Sequence, residues 1–262
     1  MQIVSLHDTG EIERYLRQNA LIHLYELGDL DDFFWQHTTW YALKEAGQLQ
    51  SLLLLYSAIN PPVLLAISEN MSALRDLLQS SIALLPPRFY AHLSGDLSTM
   101  LATHYRVDSH GLHYKMALSD ISCLEAVNTS ETIPLTGDDL DELQALYRAS
   151  YPGNSFDPRM LETGHFYGIR HNNVLVSVAG VHVYSPRYRV GVVGNVTTHP
   201  AYRGKGLGTA VCARLCQGLL RTVEHIGLNV KADNAAAITS YKKLGFEIVG
   251  EYEEALLSAF LP

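Results

Sequence analysis

Long apolar runs, cysteine and basic charge are all scarce in this sequence. No apolar run approaches the roughly 20 residues that a membrane-spanning helix needs, and the longest candidate, around Leu52–Leu55, is interrupted by Asn60-Pro61-Pro62. The opening segment Met1–Asp8 lacks the basic start and apolar core of a signal peptide. Three cysteines among 262 residues are typical of a reducing compartment. We therefore expect a cytoplasmic protein without a membrane partner.

Acidic residues outnumber basic ones, 27 to 19, and the net charge is −8. A nucleic-acid partner is not expected, because binding to a phosphate backbone normally requires a basic face. Cys212 and Cys216 lie four residues apart on a predicted helix, with no histidine or further cysteine at ligand spacing nearby. We expect packing thiols there and no metal site.

The first half of the chain alternates helical and extended patterns. The predicted helices are Asp8–Leu27, Asn70–Leu84 and Asp96–His104, and the predicted strands are Trp35–Leu43, Gln48–Ala58, Val63–Ser68, Arg88–Ser94 and Leu112–Ser119. Periodicity is then lost over residues 120–132, where Asn128–Glu131 has the composition of a linker. This break predicts two domains, residues 1–122 and 123–262.

The second half repeats the order of the first. Its predicted helices begin at Gly137, Asp157, Gly206 and Asn234, and its predicted strands are His165–His171, Val174–Tyr184, Arg189–Thr198, Gly227–Lys231, Phe246–Val249 and Tyr252–Ser258. Both halves thus run through three strands, a helix, a strand, a helix and a final strand. This order favours an α/β fold built from two copies of one architecture.

One glycine-rich segment, Arg203–Gly208, lies between a predicted strand ending at Thr198 and the long helix that follows. Glycines allow the backbone to approach a ligand closely and to adopt conformations that other residues avoid. The first turn of a helix has N–H groups without internal partners and a positive dipole end, so it can bind a pyrophosphate. Arg203 and Lys205 add positive charge, and Thr209 adds a hydroxyl.

Two other phosphate-binding loops do not fit this segment. A P-loop requires Gly-x-x-x-x-Gly-Lys-Ser/Thr, whereas Lys205 here stands between two glycines. A dinucleotide loop requires Gly-x-Gly-x-x-Gly and an acidic residue after a following strand, whereas Glu224 still lies in the predicted helix. A glycine-rich turn with a solvated basic pair remains as the alternative.

The sequence resembles the GNAT superfamily of acyl-CoA-dependent N-acyltransferases. The pyrophosphate loop of that family, Arg/Gln-x-x-Gly-x-Gly/Ala, is matched by Arg203–Gly208 and preceded by the usual His199–Tyr202. A second segment, Asn234–Phe246, lies at the expected distance and resembles the helix that flanks the coenzyme. The resemblance covers residues 130–258 and implies a mixed α/β fold: tandem GNAT-like domains, each with a mostly antiparallel central sheet flanked by helices.

The resemblance also implies that acetyl-CoA is the co-substrate and that no metal is used. In the family, the strand before the loop offers backbone groups to the pantetheine arm, and N–H groups there polarise the thioester carbonyl. The coenzyme-binding residues that it implies are Val196, Thr197, Thr198, Arg203, Gly204, Lys205, Gly206, Leu207, Gly208, Thr209, Asn234 and Tyr241.

By analogy with the family, Tyr241 protonates the departing CoA thiolate, a role suited to a hydroxyl with a pKa of about 10. A half-buried packing tyrosine is the alternative. Many members carry a glutamate base on the strand before the loop, but Val190–Thr198 contains no Asp, Glu or His. His182 on the neighbouring strand is the best remaining base. A structural histidine is the alternative, and no base is needed if the amine arrives uncharged.

The acceptor side is less defined. In the family, the region of Ser150–Asp157 lines it, so Asn154 and Phe156 are candidate substrate-binding residues, together with Asn195 on the strand and, more weakly, His199. A plain Pro-Gly turn explains the segment equally well.

The first half lacks a comparable loop. Its equivalent segment, Ser68–Leu74, has no glycine and no basic residue, and it carries Glu69 where phosphate would bind. We interpret residues 1–122 as a degenerate domain of the same fold, similar to the glycine N-acyltransferase-like branch. An unrelated α/β domain is the alternative.

The predicted activity is transfer of an acyl group, with acetyl as the leading choice, from acyl-CoA to a primary amine of a small molecule. The amine attacks the thioester directly in a ternary complex, since Cys212 and Cys216 lie inside a helix, where they cannot act as nucleophiles. A non-catalytic sensor that binds acyl-CoA is the alternative. We expect a monomer or a homodimer.

Overall fold

The computed structural model describes residues 2–260. In its first half, the α-helices are α1 Thr9–Leu16, α2 Leu24–Gly28, α3 Asp32–Trp35, α4 Met71–Ser81 and α5 Leu97–Leu101. The strands are β1 Gln2–Ser5, β2 Thr38–Glu45, β3 Gln48–Tyr56, β4 Val63–Ala66, β5 Arg88–Leu93 and β6 Tyr105–Leu118. Short 3₁₀ helices cover Arg17–Ile22, Ile82–Leu84 and Ile121–Leu124.

In the second half, the α-helices are α6 Leu140–Ser150, α7 Leu207–Leu219 and α8 Ala235–Lys243. The strands are β7 Ile133–Pro134, β8 Tyr167–His171, β9 Val174–Ser185, β10 Val190–Thr198, β11 His225–Lys231 and β12 Phe246–Ala259. Three further 3₁₀ helices cover Gly137–Asp139, Pro158–Thr163 and Pro200–Tyr202.

The chain divides into two compact units. The first contains the residues up to Lys115, Lys231–Asp233 and those from Val249 onward, and the second contains Met116–Val230 and Asn234–Ile248. This division differs from the predicted one at residues 122 and 123, above all because most of the last strand, from Val249, belongs to the first unit. The register explains why: Glu253–Ser258 of β12 pair antiparallel with Arg88–Leu93 of β5.

The first unit has the strand order β1-β2-β3-β4-β5-β12-β6. Its first four strands pair antiparallel in sequence, whereas β4 and β5 are parallel. Helix α4 packs on this sheet through three leucines that are fully buried, Leu74, Leu77 and Leu78. Each of these contributes about 1.5–3 kcal/mol by leaving water.

The second unit repeats this pairing in the order β7-β8-β9-β10-β11. From β7 to β10, each strand pairs antiparallel with the next one in the chain, whereas β10 and β11 pair in parallel. In helix α7, Val211, Leu215 and Leu219 recur every four residues and are fully buried, whereas Leu207 at its start is partly exposed. The mixed, largely antiparallel α/β architecture predicted from the sequence is confirmed.

Several predicted elements differ from the structure. The helix expected over Asp8–Leu27 is interrupted, because Asn19 leaves the helical conformation at φ −141°, ψ 73°. The long helix, predicted to include Glu224, ends at Leu219, and His225 already lies in β11. The two closing strands are one continuous strand, β12.

Further elements of the first unit differ as well. Neither β1 nor α3 was predicted, and the predicted strand Trp35–Leu43 begins three residues before β2, which starts at Thr38. Strand β6 begins at Tyr105, seven residues before the predicted start at Leu112. Short elements are the least distinctive in sequence, because four residues carry too little periodicity to identify them.

Two tight hairpin turns join neighbouring antiparallel strands. Ala46 and Gly47 have φ of 49° and 80°, and Asn172 and Asn173 have φ of 50° and 64°. Left-handed conformations at two consecutive residues are the geometry of a tight two-residue hairpin. Over residues 2–260, no helix has the length and apolar character needed to cross a bilayer, and α7 has 13 residues.

Candidate functional site

The two parallel strands β10 and β11 separate partway along their length. Their register runs from Val190 paired with His225 to Val193 paired with Leu228. Strand β10 nevertheless continues to Thr198 and β11 to Lys231. The separation leaves the backbone of the last part of β10 without its parallel neighbour, so a cleft opens at the carboxyl ends of these strands.

A bulge in β10 lies next to this separation. Against β9, Gly194 pairs with Gly180 and Thr197 with Val178, so Asn195 and Val196 are displaced from the ladder. Asn195 has a φ of 53°, a left-handed conformation that asparagine tolerates better than most residues. Bulges of this kind bend a strand and redirect its backbone groups.

The glycine loop connects the end of β10 to α7. Gly204 and Gly206 have φ of 76° and 79°, and a Cβ atom on either would meet nothing within 4 Å. These glycines are therefore required by backbone conformation and leave open space above the loop. Gly208 lies in the first turn of α7, where a Cβ atom would come 3.3 Å from Oγ1 of Thr198.

The N-terminus of α7 has no side-chain cap. Gly206 occupies the cap position, and it has no side chain that could accept a hydrogen bond from the first turn of the helix. The N–H groups of Leu207, Gly208 and Thr209 therefore begin a helix of 13 residues with its positive dipole end facing the loop. This arrangement suits an anion such as a pyrophosphate.

The equivalent helix of the first unit is different. Asn70 caps α4 by accepting a hydrogen bond from the Ala73 N–H at 3.2 Å. All four residues of β4 pair with β5, and Ser94 N–H donates to the Ala66 carbonyl at 3.0 Å. The first unit therefore has neither the cleft nor the uncapped helix end of the second.

A pocket of 480 Å³ adjoins the glycine loop. Lys205 and Lys243 contribute positive charge to its wall, and Thr209 contributes a hydroxyl. The Lys205 ammonium also lies 5.1 Å from the centre of the Tyr202 ring, a cation–π contact. The pocket is large enough for part of a nucleotide, and its two lysines outnumber its one carboxylate, that of Glu131.

Arg203 is directed toward the strand. Its Nε donates to the Thr198 carbonyl at 3.1 Å, and its Nη2 donates to the Ser150 carbonyl at 3.5 Å. Its guanidinium thus fixes the start of the loop to the end of β10. The Thr198 hydroxyl itself lies 2.8 Å from the Ser177 hydroxyl, and the Thr197 hydroxyl donates to Ser150 Oγ at 3.0 Å.

Helix α8 carries two of the predicted residues. Asn234 caps it by accepting a hydrogen bond from the Ala237 N–H at 3.2 Å, as the sequence indicates. Tyr241 is partly buried, and its ring centre lies 6.0 Å from that of Phe246. No residue of α8 is fully buried, so one face of this helix is available to a ligand.

His182 lies at a second irregularity of the sheet. Between the partners of Val192 and Val193, strand β9 has one extra residue, and that residue is His182. Its partly buried ring occupies the space over Gly194, directly before the Asn195 bulge. Burial lowers the pKa of His182 to about 4. The imidazole is therefore uncharged at neutral pH and can accept a hydrogen bond.

The predicted acceptor residues are not equally available. The Asn154 amide donates to the Tyr151 carbonyl at 2.6 Å, and its oxygen accepts from the Phe156 N–H at 2.9 Å, so this side chain stabilises its own turn. The Phe156 ring lies 5.2 Å from that of Tyr147 and 5.7 Å from that of Phe166. Asn195 is 2% exposed, and its Oδ1 is buried with no hydrogen-bond partner.

Helix α6 also contributes to the site, through a residue that was not predicted. The Tyr147 hydroxyl donates to the Asn195 carbonyl at 2.9 Å. The available signal was a tyrosine among leucines, since a buried hydroxyl requires a partner.

The cysteines of α7 are buried, as expected for packing thiols. Burial raises the pKa of Cys212 to about 12 and that of Cys216 well above its ordinary value. Neither thiol forms a thiolate at neutral pH. Within residues 2–260, no group of three His, Cys, Asp or Glu side chains is arranged to hold a metal ion.

The site thus combines a separated pair of parallel strands, a bulge, and a glycine loop before an uncapped helix. Residues 130–246 match the Acetyltransferase (GNAT) family. GNAT acetyltransferases use acetyl-CoA as a co-substrate, and the residues around the α7 N-terminus suit its pyrophosphate.

Two proteins that are similar to parts of this chain are named as acetyltransferases. The chain is 43% identical over 51 residues to Acetyltransferase SG1711 of Sodalis glossinidius, which covers 19% of this chain and 36% of that protein. It is 34% identical over 65 residues to the L-methionine sulfoximine/L-methionine sulfone acetyltransferase of Salmonella typhimurium. This match covers 24% of this chain and 38% of that protein. The chain thus spans less than two fifths of either relative.

A solved structure extends the likeness to the whole chain. A tandem GNAT protein from the clavulanic acid biosynthesis pathway matches 100% of this chain and 99% of its own, with a TM-score of 0.56 and 16% identity. At this identity the likeness concerns the fold. It agrees with the two units and their repeated strand pairing.

Proposed function

We propose that the second unit transfers an acetyl group from acetyl-CoA to a primary amine of a small molecule. The observation that carries this proposal is the separation of β10 from β11 beyond Val193 and Leu228, directly before the uncapped N-terminus of α7. A thioester arm can pair with the freed edge of β10 while the pyrophosphate binds the helix N–H groups.

Acetyl-CoA supplies an acyl carbon that an amine can attack. The amine nitrogen forms a bond to that carbon as the carbon–sulfur bond breaks. N–H groups of the bulge stabilise the negative charge that develops on the carbonyl oxygen. No covalent enzyme intermediate is needed, in agreement with the buried thiols of Cys212 and Cys216.

Two side chains complete this scheme. Tyr241 on α8 donates its proton to the departing CoA sulfur. His182 accepts a hydrogen bond from the incoming amine, and its uncharged state at neutral pH supports that role. Because its pKa of about 4 makes it a weak base, the amine proton passes on to solvent.

The Asn195 oxygen is our candidate for a direct contact with the acceptor. Its burial without a partner supports this assignment, because a buried carbonyl oxygen is stabilised by an N–H donor. The segment around Phe156 supplies apolar surface on the same helix α6 side of the unit.

The first unit is proposed as a degenerate copy of the same fold, similar to the glycine N-acyltransferase-like branch. The fully paired β4 and the Asn70 cap of α4 support the absence of a second coenzyme site. We further propose that the protein acts in the cytoplasm, as a monomer or a homodimer. The three free cysteines fit that compartment.

Turnover with a panel of amines distinguishes catalysis from the alternative, an acyl-CoA-binding sensor. The full chain is mixed with acetyl-CoA and small primary amines, and CoA release is followed with a thiol reagent. Amine-dependent thiol release supports the transferase. Calorimetric binding of acetyl-CoA without thiol release from any amine supports the sensor, and the absence of binding contradicts both.

A further inference from the structure

The last turn of α6 supports the part of β10 that has lost its parallel neighbour. The Tyr147 hydroxyl donates to the Asn195 carbonyl at 2.9 Å, and the Thr197 hydroxyl donates to Ser150 Oγ at 3.0 Å. The Ser150 carbonyl also accepts from Arg203 at 3.5 Å. Three contacts thus join one helical turn to the bulge, the strand end and the loop.

Among these contacts, the Tyr147 bond is the one that reaches the bulge itself. Asn195 lies outside the register with β9, and the pairing with β11 has already ended at Val193. A buried backbone carbonyl requires a donor, and the Tyr147 hydroxyl supplies it. The bond is well formed and lies in the interior, since Tyr147 and Asn195 are 3% and 2% exposed.

We infer that Tyr147 is a positioning residue, whose hydroxyl fixes the Asn195 bulge so that the neighbouring backbone N–H groups are aimed at the thioester carbonyl. This inference rests on the proposed function. A carbonyl and the N–H that follows it belong to one rigid peptide plane. Fixing the Asn195 carbonyl therefore also fixes the direction of the Val196 N–H.

The chemistry of Tyr147 suits a permanent donor. Burial raises the pKa of its hydroxyl far above the ordinary value, so the group keeps its proton wherever the reaction runs. Its ring is held by Phe156, with 5.2 Å between the ring centres. Position and protonation are therefore both constant.

The test is Tyr147→Phe, which removes the hydroxyl and keeps the ring that packs on Phe156. We expect kcat to fall about tenfold, because oxyanion donors lose their aim. The KM for acetyl-CoA should stay within about twofold, since the helix N-terminus that binds pyrophosphate is untouched. Tyr167→Phe is the matched control: it removes a buried hydroxyl from the same unit, on β8, and should retain wild-type kcat.

A second readout does not need an amine. The carbonyl stretch of bound acetyl-CoA, isotopically labelled at that carbon, reports polarisation by N–H donors. We expect the wild-type protein and Tyr167→Phe to lower this frequency equally, and Tyr147→Phe to lose most of the shift. Amide hydrogen exchange over residues 195–198 should also accelerate in Tyr147→Phe alone.

The two claims fail in different ways. If the wild-type protein shifts the carbonyl frequency and Tyr147→Phe does not, but no amine is acylated, the transfer fails and the role of Tyr147 stands. If the wild-type protein turns over and Tyr147→Phe matches it in kcat and in carbonyl frequency, the role of Tyr147 fails and the transfer stands.

Discussion

The imidazole ring of His182 lies over Gly194 so closely that a Cβ atom on Gly194 would come 1.9 Å from its Cδ2 and 2.3 Å from its Nε2. The missing side chain of one strand thus makes room for a titratable ring from the next. The ring is held beside the bulge at Asn195, where the acyl group is proposed to react.

We first predict that Gly194→Ala displaces the His182 ring. The clash involves a ring held between strands, so overpacking should lower the free energy of unfolding by about 1–3 kcal/mol and reduce kcat. Denaturant unfolding and amine-dependent thiol release measure both effects. Gly191→Ala is the control on the same strand. Its Cβ would come no closer than 3.3 Å to another side chain, and that contact is with the flexible end of Leu219. Equal effects of the two variants would contradict the prediction.

A second prediction concerns the glycine loop, for which a coenzyme-binding role is proposed. Gly206→Val should weaken acetyl-CoA binding by at least about tenfold, because valine strongly disfavours the φ of 79° at this position. Gly137→Val is the control, since Gly137 has open space around it and an ordinary φ. Calorimetric titration with acetyl-CoA on folded variants makes the measurement. An unchanged affinity in Gly206→Val would remove the loop from the binding site.

Third, Tyr241→Phe should lower kcat by about 10²-fold, the lower end of the contribution of a general acid. The KM for acetyl-CoA should change little, because the proton is needed only as the carbon–sulfur bond breaks. Steady-state kinetics separates the two constants. Tyr114→Phe, in the first unit, controls for loss of a tyrosine hydroxyl. Wild-type turnover of Tyr241→Phe would assign this ring to packing alone.

The fourth prediction follows from the lowered pKa of His182. The folded protein holds this ring uncharged down to a pH of about 4, whereas the unfolded chain protonates it near its ordinary pKa of about 6.5. The unfolded state therefore binds more protons between these values, and stability must fall as pH drops from about 6.5 to about 4. The loss of stability is absent above a pH of about 6.5, where the ring is uncharged in both states. It reaches a constant value below a pH of about 4, where the ring is protonated in both states.

Urea unfolding between pH 4 and 7 tests this linkage. His182→Gln should unfold with a smaller pH slope in that window than the wild-type protein. A His182→Gln slope equal to that of the wild-type protein would show that this ring does not titrate as its burial requires.

Fifth, the variant Cys212→Ala with Cys216→Ala should retain kcat within a few-fold. Both thiols are buried with raised pKa values, so neither forms an acyl-enzyme intermediate. Some stability is lost, because each deletion leaves a small cavity. Loss of turnover in a variant that still folds and binds acetyl-CoA would favour a covalent route.

Much of this protein follows from local sequence patterns. The strands β8 to β10, helix α7 and the hairpin turn at Asn172 and Asn173 have periodicity or turn residues that act over short distances. The glycine loop at Arg203–Gly208 is equally local, since its left-handed glycines and the helix that follows are adjacent in the chain.

The remaining features depend on contacts that are distant in the sequence. The assignment of most of β12 to the first unit depends on its pairing with β5, more than 150 residues earlier in the chain. The bond from Tyr147 to Asn195 joins residues 48 positions apart. Sequence periodicity identifies a buried face but not which strand or carbonyl lies opposite. The sequence alone therefore indicated the glycine loop at Arg203–Gly208, whereas the tertiary structure decided how the bulge beside it is held.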